Sequence, residues 1–295
     1  MAEIRFTVGI CAYNEAGNIE KCIRSVYSQT FDGPVMDEVI VVSSASTDDT
    51  DNIVRDLCKE FDSLRLIVQE KREGKNSAIN CILDNKRNDI VVIVNGDNIL
   101  ASEHTLQKMV EPFMENTIGI VGGHPVVMND NNTLADFASN FIWALHHHIA
   151  LKSPKIGELI AFRDVGTRLP TNTQSDEDLI RVGIENAGLK PQYAPEALTH
   201  IRGPTTVKDL VKQRFRVNVG QSYMIIERDY YNPARDPKVL FAVFLDTIKD
   251  LGYHPIKLII SVIIEMCCRI SASIYAKKDK GDMNAWDPVQ STKKV

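Results

Sequence analysis

The stretch Asp89-Ile90-Val91-Val92-Ile93-Val94-Asn95-Gly96-Asp97-Asn98 constrains this chain most, because five consecutive aliphatics stop dead on a small polar cluster holding one carboxylate. So short a run cannot span a membrane. It suits a strand buried on both faces, as the strands of parallel α/β sheets are. The polar cluster then sits at the strand's carboxyl end, the edge where open α/β sheets bind ligands. A compact acid between Gly and Asn can hold a hard divalent cation through oxygen, and that cation can neutralise a diphosphate. A strand-to-loop turn with local Asx hydrogen bonds uses the same residue types.

The rest of the chain supports the first option. Apolar runs at 6–12, 38–42, 64–68 and 90–94 alternate with helix-period stretches at 16–29, 49–61, 75–85 and 102–115. That rhythm predicts an α/β fold with a mostly parallel central sheet, right-handed crossovers and flanking helices. Ile118-Gly119-Ile120-Val121-Gly122-Gly123 supplies a fifth strand, 133–151 a helix, and the region up to 173 is less regular. Ser175 with Asp176, Glu177 and Asp178 reads as a helix start with a capping hydroxyl, and Gly188 as its end. A further helix is expected over 207–227. We divide the chain into a domain at 1–235 and a helical extension at 236–295.

Charge and cysteine usage narrow the partners. A net charge of −5 argues against nucleic acid, whose binding is dominated by phosphate neutralisation with clustered Lys and Arg. Cys11, Cys22, Cys58, Cys81, Cys267 and Cys268 show no metal-ligand spacing and read as reduced thiols in a cytoplasmic protein. The start, Met1-Ala2-Glu3-Ile4-Arg5, enters a strand pattern at once, with no signal or transit peptide expected.

The extension behaves differently. Leu240, Phe241, Phe244, Leu245, Ile248 and Leu251 make one apolar stripe at helical spacing. Over 256–276 the polar residues Lys257, Ser261, Glu265 and Arg269 recur every four positions on an otherwise apolar helix. A lone span would bury those charges at roughly 2.5–3.5 kcal/mol each at the bilayer centre. The expectation is therefore peripheral membrane contact at the cytoplasmic face, or a homodimer or domain contact, through 240–276.

Four loops follow the first four strands. Ala12-Tyr13-Asn14-Glu15 offers an aromatic, an amide and an acid for a base and ribose. Ser43-Ser44-Ala45-Ser46-Thr47-Asp48-Asp49 opens a helix with small residues, and Lys71-Arg72-Glu73-Gly74-Lys75-Asn76 brings cations and a Gly that lets backbone approach phosphate. The fourth is Asn95-Gly96-Asp97. His146, His147 and His148 are consecutive, so on a helix they point about 100° apart and cannot all ligate one ion.

Together with Asp176-Glu177-Asp178 and Gln213-Arg214-Phe215-Arg216, these segments resemble the family 2 glycosyltransferases of the GT-A fold over roughly residues 5–225. The resemblance implies a nucleotide-diphosphate sugar donor, UDP- or GDP-linked, a divalent Mg2+ or Mn2+, and inverting transfer to a glycan or lipid-linked acceptor. It implies that Tyr13, Asn14 and Glu15 line the nucleotide pocket with Arg72, Gly74 and Lys75 near base or phosphate. Asp97 would be the acid nearest the metal, and Gln213, Arg214 and Arg216 would hold the diphosphate or an acidic acceptor. Asp178 would be the base that takes the acceptor's proton, with Asp176 and Glu177 as its rivals. Crowding three acids raises at least one pKa. Arg163 would contact the acceptor.

The chain departs from the pattern at Ala12, where Pro is common, at Ser44 and Asn95, where acids are expected, and at Val217, where an aromatic is. A catalytically silent nucleotide-sugar binder and a sugar nucleotidyltransferase are the competing readings. The latter would open with a Gly-rich, Arg-containing loop after strand one, which Ala12-Tyr13-Asn14-Glu15 is not.

Overall fold

A computed structural model describes residues 3–171, 173, 175–228, 230–252 and 254–278. The strands are β1 (Arg5–Ala12), β2 (Val35–Ser43), β3 (Leu64–Val68), β4 (Ile90–Asn95), β5 (Ile99–Leu100), β6 (Ile118–Val127), β7 (Ile160–Arg163) and β8 (Lys190–Ile201). The helices are α1 (Ile19–Tyr27), α2 (Thr50–Glu60), α3 (Lys75–Asn85), α4 (Thr105–Val110), α5 (Leu134–Lys152), α6 (Asp176–Asn186), α7 (Val207–Arg228), α8 (Pro237–Leu251) and α9 (Pro255–Lys278). One sheet runs β3-β2-β1-β4-β7-β6-β8-β5.

The continuous apolar runs become strands covered on both sides. Val92 and Val94 of β4 join Val8 and Ile10 of β1 against α1, α2 and α4. Val91 and Ile93 face the other way, onto Ile79 and Ile82 of α3 and Ile180 and Ile184 of α6. Each such aliphatic contributes about 1.5–3 kcal/mol over leaving it in water. Gly9 lets α3 come close, since a Cβ there would lie 2.6 Å from Ile82.

Parallel pairing of β1 with β2 and β4 sets the site. Ala12 stands opposite Ser43 and Cys11 opposite Asn95, so three carboxyl ends finish level. Gly96 N–H donates to the Cys11 carbonyl and Ser44 N–H to the Ala12 carbonyl, which carries the register into the loops.

The structure departs from the sequence reading in several places. β7 lies in the stretch expected to be irregular and runs antiparallel between β4 and β6. β8, which contains Pro191 and Pro195, pairs parallel with β6. β6 continues four residues past Gly123, and the fourth helix stops at Val110, with Pro112 in a following 3-10 turn. Ser175 does not cap α6. It sits in the left-handed region at φ 76 and its side chain makes no cap bond. Gly188 does end that helix, at φ +79, with Leu189 N–H donating back to the Ile184 carbonyl.

In α9 the polar stripe faces inward. Ser261, Cys268, Ala272 and Ala276 are buried, and Glu265 meets Arg214 of α7 and accepts from Arg269 on its own helix. The outward face is Ile256, Ile259, Ile263, Met266, Ile270 and Ile274, with Ile256 74% exposed. A helix in water does the reverse. α9 packs along α7 and α8 along α5, and α8 leaves Phe241 86% and Leu245 70% exposed. Among the described residues α9 is the one helix long and apolar enough to cross a membrane. The part of the extension after 278 lies outside the described residues.

Candidate active site

A cavity of about 500 Å3 opens at the level carboxyl ends of β1, β2 and β4. Its wall includes Ala12, Tyr13, Glu15, Ser44, Arg72, Gly74, Lys75, Asn95, Gly96 and Asp97 from the first four loops. Asp176, Glu177, Asp178, Gln213, Arg214 and Arg216 complete it from α6 and α7, so the expected residues converge. Asn14 does not line the cavity. It adopts φ 53, and its Oδ1 accepts from Thr47 N–H at 2.7 Å, fastening the loop after β2 to the loop after β1.

On the nucleotide side, the Arg72 guanidinium stacks over the Tyr13 ring at 4.3 Å. Such a pair makes a flat, cationic platform for a base or phosphate. Glu15 accepts from Asn18 Nδ2 at 3.0 Å, and its Cγ would lie 3.2 Å from a Cβ at Gly96. Gly96 is thus needed for the close approach of the two loops.

On the acidic side, α3 and α6 are locked together by the segment between β7 and α6. Asn76 Nδ2 donates to the Pro170 and Thr173 carbonyls at 2.7 and 3.0 Å, and Asn80 brackets Leu169 through both ends of its amide. Lys75, the first residue of α3, therefore meets the first turn of α6. Its Nζ lies 2.7 Å from Asp176 and 3.2 Å from Glu177.

The three acids are not equivalent. Burial pushes Asp176 up, whereas Lys75 overcomes burial and holds Glu177 below its usual value. Asp178 makes no ion pair among the described residues. Burial raises its pKa, while the charge of Lys155 and a hydrogen bond from the Tyr230 hydroxyl resist that rise.

Some side chains that the sequence reading did not assign to the site share the wall. Glu158, at φ 51, accepts from Asn95 Nδ2 at 2.5 Å, and burial pushes it up to about 7. Its left-handed backbone is uncommon for a residue with a side chain. Lys155, Arg202, Trp143, Glu265 and Arg269 also line the cavity. The Arg214 charge is committed to Glu265, at 2.8 and 3.0 Å, while Arg216 points charge into the cavity without an ion pair among the described residues.

Arg163 is a correction. It donates to the Ile118 and Phe113 carbonyls and lies over the Phe113 ring, away from the cavity, so it cannot touch an acceptor there. The histidines fan apart as helix geometry requires. His146 lines the cavity beside Trp143, His147 Nδ1 pairs with the Tyr193 hydroxyl at 2.8 Å, and His148 meets Asp250 at 2.7 Å. All six cysteines are free.

A sheet of this order, with an acid at the end of β4 facing cations from α3 and α7, defines a GT-A fold. Its likeness to solved structures bears this out. The mannosyltransferase PcManGT of Pyrobaculum calidifontis, solved with GDP-Man and Mn2+, aligns at a TM-score of 0.65 and 23% identity, over 93% of this chain and 87% of that one. S. aureus TarS 1-349 with UDP-GlcNAc aligns at 0.55 and 17%, over 92% and 81%. Residues 7–174 match the model of glycosyl transferase family 2, and the chain belongs to that family. The glycosyltransferase AglE of Haloferax volcanii is 32% identical over 120 residues, 40% of this chain and 38% of that protein. The poly-beta-1,6-N-acetyl-D-glucosamine synthase of Staphylococcus epidermidis is 22% identical over 257 residues, 83% and 61%. The chain thus spans less than two thirds of the length of either relative.

Proposed function

We propose that the protein moves a sugar from a UDP- or GDP-linked donor to an acceptor hydroxyl or phosphate, with inversion and with help from Mg2+ or Mn2+. The observation that carries this reading is the meeting, in one cavity, of Asp97 at the end of β4 with the Lys75-held acids at the start of α6. The stacked Tyr13 and Arg72 would form a platform for the base, and Arg216 would face the diphosphate.

The donor set fits a hard cation. Asp97 offers carboxylate oxygens at the strand end, and among the described residues no three His, Cys, Asp or Glu side chains form a closed cage. Asp97 would hold the ion without such a cage, as suits Mg2+ or Mn2+, which are commonly bound through one or two carboxylates plus substrate phosphates. The bound ion would supply charge neutralisation to the departing diphosphate.

Asp178 would take the proton of an acceptor hydroxyl as its oxygen bonds to the anomeric carbon. The bond from that carbon to the diphosphate breaks, and its electron pair leaves with the nucleoside diphosphate. Lys75, by pairing with Asp176 and Glu177, offsets part of the trio's charge while leaving Asp178 outside the ion pair. Inversion follows if attack comes from the face opposite the diphosphate.

We assign residues 236–278 as an extension docked on this domain, and its apolar outer faces as a contact with the cytoplasmic side of a membrane. The inverted polarity of α9 supports that assignment, and the free thiols fit a reducing compartment.

The test is nucleotide release from a panel of UDP- and GDP-sugars with Mg2+ or Mn2+, comparing the parent with Asp178→Asn and Asp97→Asn. Loss of a general base should lower turnover by about 10²–10⁴, and Asp97→Asn should raise the metal concentration required. A parent that binds nucleotide sugars yet never releases nucleotide, whatever acceptor is offered, would hand the reading to a silent binder.

A further inference from the structure

We propose that Glu158 is a positioning residue for Asn95: it holds the Asn95 amide with its carbonyl oxygen toward the cavity, so that a neutral side chain serves as an acceptor beside Asp97. This rests on the transferase reading and names a residue that sets up the donor half of the same cavity. The pairing is a product of topology. β4 and β7 run antiparallel, with Ile90 opposite Arg163 and Ile93 opposite Ile160. Two residues beyond Ile93 the same register sets Asn95 opposite Glu158, where side chains on paired strands come within reach of each other. They meet there, Asn95 Nδ2 donating to Glu158 Oε2 at 2.5 Å.

An amide has two ends of nearly equal shape and opposite character, a carbonyl that accepts and an NH2 that donates. Left alone at a strand end, it can turn either one to a ligand. A carboxylate only accepts, so the end it captures is the NH2. Among the described residues Glu158 makes no ion pair, Asn95 is the side chain that donates to it, and Asn95 Oδ1 accepts from no group. That oxygen is left for whatever occupies the cavity, which both residues line.

The fold keeps this contact against two costs. Glu158 adopts φ 51, a backbone that glycine takes without strain and a residue with a side chain does not, although Gly157 precedes it in the chain. The charges of Asp97 and Glu177 also oppose its own, with Lys75 acting the other way. A carboxylate held there is accounted for by what it does to the amide at the end of β4. An acceptor oxygen two residues before Asp97 suits a nucleotide hydroxyl or the divalent cation at the diphosphate. The other end of the amide would present hydrogens, which a cation cannot use.

The full chain is titrated calorimetrically with UDP and with GDP, each with Mn2+, at pH 8, above the value of about 7 to which burial pushes Glu158. The tighter nucleotide is then carried through Glu158→Leu, Asn95→Ala, the two combined, and Asn95→Asp combined with Glu158→Leu. E158L should weaken binding about tenfold, the effect of one charge-assisted hydrogen bond acting through the amide. N95A should weaken it to a similar extent, and E158L should then add nothing, because the residue it acts through is gone. N95D should restore the E158L chain to within roughly threefold of the parent, since a carboxylate presents oxygen whichever way it turns. E158L removes a carboxylate that burial disfavours, so it should melt no lower than the parent and unfolding will not mimic the result.

The 2′,3′-dideoxy analogue of the same nucleotide, and a chelator in place of Mn2+, separate the two sources. The E158L effect disappears with the analogue if a hydroxyl is held, and without Mn2+ if the cation is. No effect of E158L, an equal loss in the N95A background, no recovery with N95D, or an effect that survives both analogue and chelator overturns the proposal. If the parent binds neither UDP nor GDP, the transferase reading falls and this assignment with it. If nucleotide binds and E158L matches the parent, the assignment alone falls.

Discussion

Glu265→Gln isolates the electrostatic contact between α7 and α9. The Glu265 carboxylate receives Arg214 Nε at 2.8 Å and Nη2 at 3.0 Å, Arg269 Nε at 2.8 Å and Asn218 Nδ2 at 3.3 Å. The side chains of Arg214, Glu265 and Arg269 are 13%, 14% and 19% exposed, so solvent screens them little. Although burial opposes it, the two guanidiniums hold Glu265 down to about 2 from 4.5. At 1.36 kcal/mol per pKa unit, that gap makes the ionised form worth on the order of 3 kcal/mol to the folded state. Because the folded pKa is depressed, the contribution is complete above pH 4.5 and is lost as pH falls toward 2. The assay is denaturant unfolding of parent and E265Q between pH 7 and pH 3. E265Q should be less stable by about 3 kcal/mol at pH 7, with the gap shrinking as the medium is acidified, since the parent loses what the variant never had. A gap under 1 kcal/mol at pH 7, or one that is the same at pH 3, would refute the reasoning.

Three other expectations follow from the geometry. Burial raises Glu158 to about 7, so the parent should lose stability as pH rises from 4.5 through 7; Glu158→Gln should remove that slope and gain about 2 kcal/mol at pH 8, after a discount for its partial exposure, read from melting curves against pH. Gly9→Ala drives a methyl into Ile82 and should cost about 1–3 kcal/mol by overpacking, with unchanged stability in denaturant melts counting against the close approach of α3. Arg72→Ala removes the guanidinium from Tyr13 and should weaken nucleotide binding by roughly fivefold, about 1 kcal/mol, measured calorimetrically with UDP and GDP; an unchanged affinity would remove this pair from the donor site.

The legible parts of this chain were those governed by local pattern. β1, β2 and β4 stood out by their aliphatic runs, as strands buried on both faces do, and the edge strand β3 by a shorter apolar run broken at Arg65; their shared direction placed Tyr13, Ser44, Lys75 and Asp97 on one edge. β7 and β8 were not legible. Four residues of apolar sequence after Gly157 could belong to many structures, and Pro191 and Pro195 argue against a strand until a neighbour is known. Glu158 escaped notice because its reach into the cavity depends on a left-handed backbone that no residue type announces. The stripe containing Glu265 was visible at its four-residue spacing, yet its inward direction depends on Arg214, 51 residues away. Ser175 misled because a hydroxyl before three acids has the composition of a cap without the backbone angles of one.

The strand that runs against its neighbours has a wider consequence. Parallel strands end at the cavity, so their donor-side loops come after them, whereas β7 starts there and the segment before it delivers Lys155 and Glu158 to the same rim. The loops after β1 to β4 and the segment before β7 thus reach one cavity from stretches of chain far apart in sequence. Selection can therefore rewrite 153–158, and with it one rim of the cavity, without touching the loops after β1 to β4.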